Sequence, residues 1–403
     1  MNSSVQETAV PDDVLRADLV ARATVLRDDL RRDSAGSEQT RRLSEDVIGK
    51  ITGAGLTRLL TPKRLGGYQT GVRTLLDVTT ELGRGCCSAA WVTGVLNAGN
   101  YVVSLFSDQA QDEVWGSDPD ARTAQVLGRP AFSVEETEGG VRVTGEWGYA
   151  SGSLHAEWFG GLIAIGGASG RPETYFALMP AADVTIRDTW HFAGMRGTGS
   201  NTVVADGIFI PRHRLLPYVP VLNGETDGLV PESHAYRNSM TGVFTIGLIG
   251  SLIGGAEAAL EYVREKVHTR PVAGSTYAQQ VDSPTTQLDL AAAAVKVDTA
   301  KLHAQRLADS IDGHARAGEN RDLLTRARAR MDSTHVAQQC REAIDLLVTA
   351  YGSSAFSESN PLQQIWRDIN VGSRHAGFGM GIPEQVYGRA LVGKDPRDLS
   401  SLV

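Results

Sequence analysis

The chain has 403 residues, 41% hydrophobic and 21% charged, a composition that supports a packed core divided over two or three domains. Its 39 Lys and Arg against 47 Asp and Glu give a formal charge of −8 with no dense basic run, which argues against nucleic acid or an anionic membrane surface as partner and for a small-molecule substrate. There is no stretch of eighteen apolar residues, and the N-terminus (MNSSVQETAVPDDVLRADL) is acidic where a signal peptide is basic and then apolar, so the expectation is a soluble, cytoplasmic protein. Cys86, Cys87 and Cys340 have neither disulfide-framework nor metal-ligand spacing and read as core residues; no metal is expected.

From Asp12 to about Trp115 the period is helical, and residues 1–120 form the first predicted domain. DDVLRADLVARATVLRDDLRR places Leu15, Leu19 and Val25 on one stripe, and Ser37 followed three residues later by Thr40 reads as the start of a second helix. VRTLLDVTTELGRG and CCSAAWVTGVLNAGNYVVSLF continue the pattern. Over residues 121–228 the period becomes two. SVEETEGGVRVTGEW predicts a hairpin turning at Gly139 and Gly140, and WFGGLIAIGG, ETYFALMP, VTIRDTW and TVVADGIFIP are further strands. Helical period returns over 229–403, where Leu288, Val295 and Leu302 stand at heptad spacing and Gly247, Ser251 and Gly254 line up for close approach of another helix. No strand alternates with a crossover helix, so the class is α+β.

The segment WHFAGMRGTGSNTV (Trp190–Val203) is rich in glycine, yet Gly194, Gly197 and Gly199 spell G-x-x-G-x-G running into a strand. The dinucleotide fingerprint needs G-x-G-x-x-G between strand and helix, and no GK[ST] is present for a P-loop. A tight turn is the simplest reading.

Four strings in order, GEWGYASGSLHAEW (145–158), WHFAGMRGTGSNTVVADGIFIPRHR (190–214), YGSSAFSESNPLQQIWRD (351–368) and SRHAGFGMGIPEQVYGR (373–389), resemble the acyl-CoA dehydrogenase superfamily. More closely, the chain is similar to the oxygen-using branch, the group D two-component flavin-dependent monooxygenases. Within the branch it is similar to hydroxylases of aromatic and indole-type natural-product intermediates, the XiaF-like indole hydroxylases among them. The resemblance implies an N-terminal helical domain, a middle β-barrel and a C-terminal four-helix bundle, assembled as a homotetramer with flavin between barrel and bundle. It places Trp147, Ala150, Ser151, Gly152 and Ser153 beneath the flavin ring, with Ser151 near flavin N5. It sets Trp190, Arg196, Thr198 and Ser200 along the ring and phosphates, where glycines let backbone approach a flat ligand. Arg270 and Gln287 resemble the pair that reaches a neighbouring subunit's cofactor, although Gln287 stands further from Arg270 than in the dehydrogenases. Gly352 and Ser353 match a small-residue turn near the cofactor.

The dehydrogenases carry a catalytic glutamate soon after the RD motif, but no Glu or Asp lies between Asp368 and Glu384, and His375 stands there instead. The resemblance therefore implies hydroxylation of an aromatic or indole-type substrate through a C4a-hydroperoxyflavin, with molecular oxygen as co-substrate. Reduced FAD, or FMN, comes from a separate NAD(P)H-dependent reductase. His375, of ordinary pKa about 6.5, is assigned the acceptance of a substrate proton. His155 and His191 are candidates to line the site. Trp91, Asn97 and Tyr101, read as one helical face, are candidate substrate contacts. The alternatives are an acyl-CoA dehydrogenase or oxidase, and an N-oxygenase of the same fold.

Overall fold

The computed structural model describes residues 11–128, 131–166, 172–225, 234–236 and 239–403. Five helices come first: α1 (Asp12–Thr40), α2 (Glu45–Gly53), α3 (Val72–Gly83), α4 (Cys87–Val103) and α5 (Asp108–Trp115). α1 buries Leu19, Ala23 and Leu30, whereas Val25 is 79% exposed. Six residues turn a helix through 600°, so Val25 stands 120° away from Leu19 and leaves the expected stripe. Ser37 does not begin a helix either. It lies buried in the last turn of α1 with its hydroxyl on Asp33 Oδ2 at 2.6 Å. Arg41, at φ 57°, ends α1, and α2 starts at Ser44, whose Oγ accepts the Val47 N–H at 3.2 Å.

Among the described residues eight strands follow: β1 (Thr123–Val126), β2 (Ala131–Thr137), β3 (Gly140–Ala150), β4 (Trp158–Gly166), β5 (Pro172–Pro180), β6 (Thr185–Arg187), β7 (Asn201–Pro211) and β8 (Leu215–Pro217). They form two four-stranded sheets, β1-β4-β5-β8 and β2-β3-β7-β6. The predicted hairpin joins β2 to β3 with Thr137 opposite Gly140, so the turn residues are Glu138 and Gly139, the latter at φ 81°. Val141, Val143 and Trp147 face the core and Arg142, Thr144 and Glu146 face out, as alternation requires. One pair, β1 with β4, is parallel, its strands connected through the β2–β3 hairpin instead of a helix.

The remaining helices are α6 (Tyr218–Asn223), α7 (Met240–Lys266), α8 (Pro284–Ala317), α9 (Leu323–Tyr351), α10 (Pro361–Gly372) and α11 (Ile382–Leu391). α7 packs on α3, α4, α8 and α9. By length and apolar composition alone its Gly242–Lys266 stretch could cross a bilayer, but most of it is buried inside the protein. A Cβ added to Gly247 would stand 2.5 Å from Gly94 Cα of α4, and one on Gly254 would stand 2.2 Å from the Thr80 carbonyl of α3, so these glycines set how closely the helices approach. The heptad residues of α8 point outward: Leu288, Val295 and Leu302 are 71%, 63% and 67% exposed. The expected domain boundary at 228/229 lies outside the described residues.

Candidate active site

β3 carries Ser151 to the site through an irregular end. Its register on β7 shifts between Trp147 and Ala150, with Tyr149 at φ 62°. The next turn is fastened by Gly152, at φ 75°, whose N–H donates to Thr198 O at 2.9 Å. Ser151 is thereby set against the segment leading into β7. That segment is folded by its own polar groups: Asn201 Oδ1 accepts the Thr189 and Trp190 N–H groups at 3.0 Å each, and Met195 takes the left-handed conformation at φ 53°.

Three hydroxyls meet there. Ser151 Oγ lies 2.7 Å from Ser200 Oγ, Ser200 Oγ lies 2.6 Å from Thr198 Oγ1, and Thr198 Oγ1 donates to the Met195 carbonyl at 2.7 Å. The same carbonyl accepts Trp190 Nε1–H at 2.9 Å. Trp190 stacks on Phe192, with centroids 3.8 Å apart, and Tyr149 meets it edge-on at 6.0 Å, forming an aromatic wall beside Ser151. From the helical side, Trp91 of α4 donates Nε1–H to Ser151 Oγ at 3.3 Å and meets the His375 ring in a T-shaped contact, with centroids 5.6 Å apart. Gly372 keeps this junction tight, since a Cβ there would be 2.7 Å from Met195 Cε and 3.2 Å from the Trp91 ring. The structure therefore brings Ser151, Thr198, Ser200, Trp190, Trp91 and His375 into one group.

His375 is exposed to solvent, yet crowding by neighbouring atoms costs its imidazole hydration and pushes it down to about 4, so it is neutral near pH 7. Gly377 N–H donates to its Nδ1 at 3.1 Å. The neutral ring then carries its proton on Nε2 and presents a donor. Beneath the group lies Asp368, fully buried and pushed up to about 7. Burial raises it, the Met195 N–H bond at 2.5 Å opposes this, nearby Glu38 raises it further and Arg367 lowers it.

Other predicted residues have different surroundings. Trp147 is in the core with Nε1–H on Leu162 O at 3.0 Å; Ala150 is buried beside it; Ser153 Oγ donates to Gly199 O at 3.2 Å. Arg196 turns to α1, where Nε donates to Glu38 O at 2.9 Å, and Nη1 donates to Phe192 O at 3.2 Å. Asn97 is not on the Trp91 face, being six residues on. Its amide accepts from Leu59 N–H and donates to Leu56 O and Thr93 O, bracing backbone and leaving nothing for a substrate. Tyr101 is buried with its hydroxyl on Tyr236 O at 3.3 Å. His155 is buried toward α2, 3.9 Å from Glu45, and His191 is exposed beside Asp188. Neither reaches the Ser151 group.

A second group surrounds Arg270. Nη2 donates to Tyr351 O at 3.1 Å and Ser354 Oγ at 2.7 Å, the guanidinium sits 3.9 Å over the Tyr351 ring, and buried Nε has no partner. Gly352 (φ 88°) and Ser353 line an open pocket of about 440 Å³ with Asp345, Thr349 and Trp366. Gln287 is elsewhere, its amide on Val281 O at 2.8 Å. The glutamine at Arg270 is Gln280: its N–H donates to Arg270 O at 2.6 Å, its Nε2 to Ala350 O at 3.1 Å, and its buried Oε1 has no partner. Its shorter separation from Arg270 was the signal available in the sequence.

Family comparisons match residues 21–118 to the acyl-CoA dehydrogenase N-terminal domain and 246–379 to the C-terminal domain. The chain is 31% identical, over 94% of its length and 95% of the relative's, to an FADH(2)-dependent resorcinol hydroxylase oxygenase component of Rhizobium sp.. The chain belongs to the acyl-CoA dehydrogenase superfamily, on its two-component flavin monooxygenase branch. As a member of that branch it is an oxidoreductase. It is also 28% identical, over 91% of its length and 87% of the relative's, to the p-hydroxyphenylacetate 3-hydroxylase oxygenase component of Acinetobacter baumannii. Among solved structures, XiaF from Streptomyces sp. in complex with FADH2 and glycerol superposes with a TM-score of 0.90 at 34% identity, covering 96% of this chain and 97% of that one.

Burial holds His155 down to about 4, from an ordinary 6.5 in the unfolded chain. Between those values the unfolded chain binds a proton that the folded flavin monooxygenase refuses, so stability is lost as pH falls through this window, by on the order of 3 kcal/mol for this group. The unfolding midpoint of His155→Gln is expected to drop less than that of the wild type between pH 6.5 and 4.5. Parallel profiles for the two proteins contradict the assignment.

Proposed function

We propose that the chain hydroxylates a small aromatic compound, phenols being the preferred class, with reduced FAD delivered by a separate NAD(P)H-dependent reductase and molecular oxygen as co-substrate. The observation that carries the reading is the placement of Ser151 and the Trp190 wall on one side of Trp91 and of His375, with its Nε2–H, on the other. The residues suit a flavin: the aromatic wall and Ser151 offer a face and a polar contact for the ring, and the orphaned Arg270 Nε and Gln280 Oε1 offer polar atoms for a phosphate or adenine end. When bound, reduced flavin supplies the two electrons that activate oxygen.

The chain's own residues do the rest. Trp91, Trp190, Met195 and Phe378 are buried apolar surface that keeps water from the reacting atoms. His375 was expected to accept a substrate proton. With Nδ1 occupied by Gly377 N–H it donates instead, and the complementary partner is an oxygen lone pair, which a phenol or a phenolate offers. A substrate that binds from solution already ionised, as a phenolate, has raised electron density on its ring carbons, which favours electrophilic oxygen transfer, and Nε2–H stabilises its charge. An indole N–H would meet Nε2–H donor to donor, so indoles rank second. The names of the resorcinol and p-hydroxyphenylacetate relatives agree with a phenol. The carboxylate needed for acyl-CoA oxidation is missing after Asp368, and Asp368 itself is buried on the Met195 N–H.

The exposed heptad of α8 supports a homo-oligomer, a tetramer in our reading, in which copies cover Leu288, Val295 and Leu302. Sedimentation of the double variant Val295→Glu, Leu302→Glu is expected to give a smaller assembly than the wild type. An unchanged mass removes the stripe from the interface.

The activity is tested by supplying FAD, NADH, an unrelated flavin reductase and air with a panel of phenols and indoles. Phenols are expected to gain one oxygen atom, with kcat/KM for the best phenol at least about tenfold above that for the best indole. His375→Ala is expected to lose roughly a hundredfold in this rate. Because His375 is neutral above about pH 4, the wild-type profile should show no break near 6.5 that His375→Ala abolishes. Oxidation of an acyl-CoA with no phenol converted would overturn the reading.

A further inference from the structure

The three hydroxyls beside the flavin-side wall form a chain whose hydrogen-bond direction is fixed by its ends. A carbonyl oxygen has no proton, so the 2.7 Å contact between Thr198 Oγ1 and Met195 O holds the Thr198 proton. The Thr198–Ser200 bond must then use the Ser200 proton, and the Ser200–Ser151 bond must use the Ser151 proton. At the other end, Trp91 Nε1–H can only donate, and it occupies one lone pair of Ser151 Oγ. One lone pair remains on Ser151, and no proton. Thr198 and Ser200 are buried, so water does not compete for these bonds.

We propose that this chain, from Met195 O through Thr198 and Ser200, makes Ser151 an obligate acceptor that selects the reduced over the oxidised flavin. The proposal rests on the reading above, in which Ser151 faces flavin N5. Two-electron reduced flavin carries a hydrogen on N5, which the free lone pair of Ser151 accepts. Oxidised flavin has a lone pair on N5 instead, and two acceptors face each other without a proton between them. Thr198 and Ser200 are buried behind Ser151 and act through it, as positioning residues. The consequence for a two-component enzyme is direct: flavin is held while reduced and released once oxidised, with no moving part.

Removing Thr198 Oγ1 lets Ser200 donate to Ser151, which frees the Ser151 proton to point at an acceptor on N5. The test is equilibrium binding, not turnover: dissociation constants of the intact protein for reduced FAD, measured anaerobically, and for oxidised FAD. The wild type should bind reduced FAD more tightly. In Thr198→Val the ratio of oxidised to reduced Kd should fall at least about fivefold, and Ser200→Ala should do the same, while Thr198→Ser restores the wild-type ratio. Loosening of the fold weakens both redox states alike and does not move the ratio. Ser151→Ala separates the two ideas. If it leaves both constants unchanged, Ser151 does not meet the flavin and the site reading fails. If Ser151→Ala lowers the ratio while Thr198→Val and Ser200→Ala do not, the site stands and the directed chain is overturned.

Discussion

The contact between Asp368 Oδ1 and the Met195 N–H, at 2.5 Å, joins the β layer to the C-terminal helices at the point on which the rest of the site depends. Met195 sits in a left-handed conformation that an unbranched side chain tolerates only when its surroundings hold it there. Held in this way, its carbonyl turns inward and collects both Trp190 Nε1–H and the Thr198 hydroxyl. One carboxyl therefore orients the aromatic wall and the end of the hydroxyl chain together. It lies on α10, which ends at Gly372 and leads into His375, so the same helix also sets the distance from the Ser151 group to His375. Burying a carboxyl is unfavourable, which shows in its pKa near 7; the backbone bond offsets part of that cost.

The helical layer supplies the opposing half by close packing. Gly94 and Gly247 let α4 and α7 touch backbone to backbone, and Gly372 admits Met195 and Trp91 side by side. Trp91 is thereby a fixed strut: its N–H reaches Ser151 and its ring borders His375. Each of the two residues assigned to the chemistry accepts an N–H that can only donate, Gly377 N–H on His375 and Trp91 N–H on Ser151, and Ser151 also bonds to Ser200. Both end as definite hydrogen-bonding partners, one donor and one acceptor. That arrangement differs from an acid–base pair and agrees with chemistry in which the cofactor performs the oxidation and the protein orients, polarises and excludes water.

Much of this was legible in the sequence because period reports which side of an element is buried. The helix, strand, helix order, the β2–β3 hairpin and the small-residue face of α7 all follow from it. Two helical assignments failed together: Val25 and Asn97 were each placed on a face six residues from a true member, and six residues leave a helix 120° out of phase. Leu288, Val295 and Leu302 do form a stripe, but period cannot tell a buried face from the exposed one they occupy. Ser37 looked like a cap because the serine–threonine spacing of a cap also occurs inside helices. The hydroxyl chain was out of reach because Ser151 and Ser200 lie 49 positions apart and meet only through the β3 irregularity. Arg196 and Trp147 were assigned by position in a motif, and contacts with Glu38 and Leu162 that no motif encodes give them structural surroundings.

The most direct test of the account is a crystal structure of the protein with reduced FAD and a bound phenol, prepared and frozen without oxygen. The account predicts flavin N5 within hydrogen-bonding distance of Ser151 Oγ, Trp190 and Phe192 along the ring, and the phenol oxygen on His375 Nε2. A flavin ring lying away from Ser151, or a phenol oxygen directed away from His375, would contradict it.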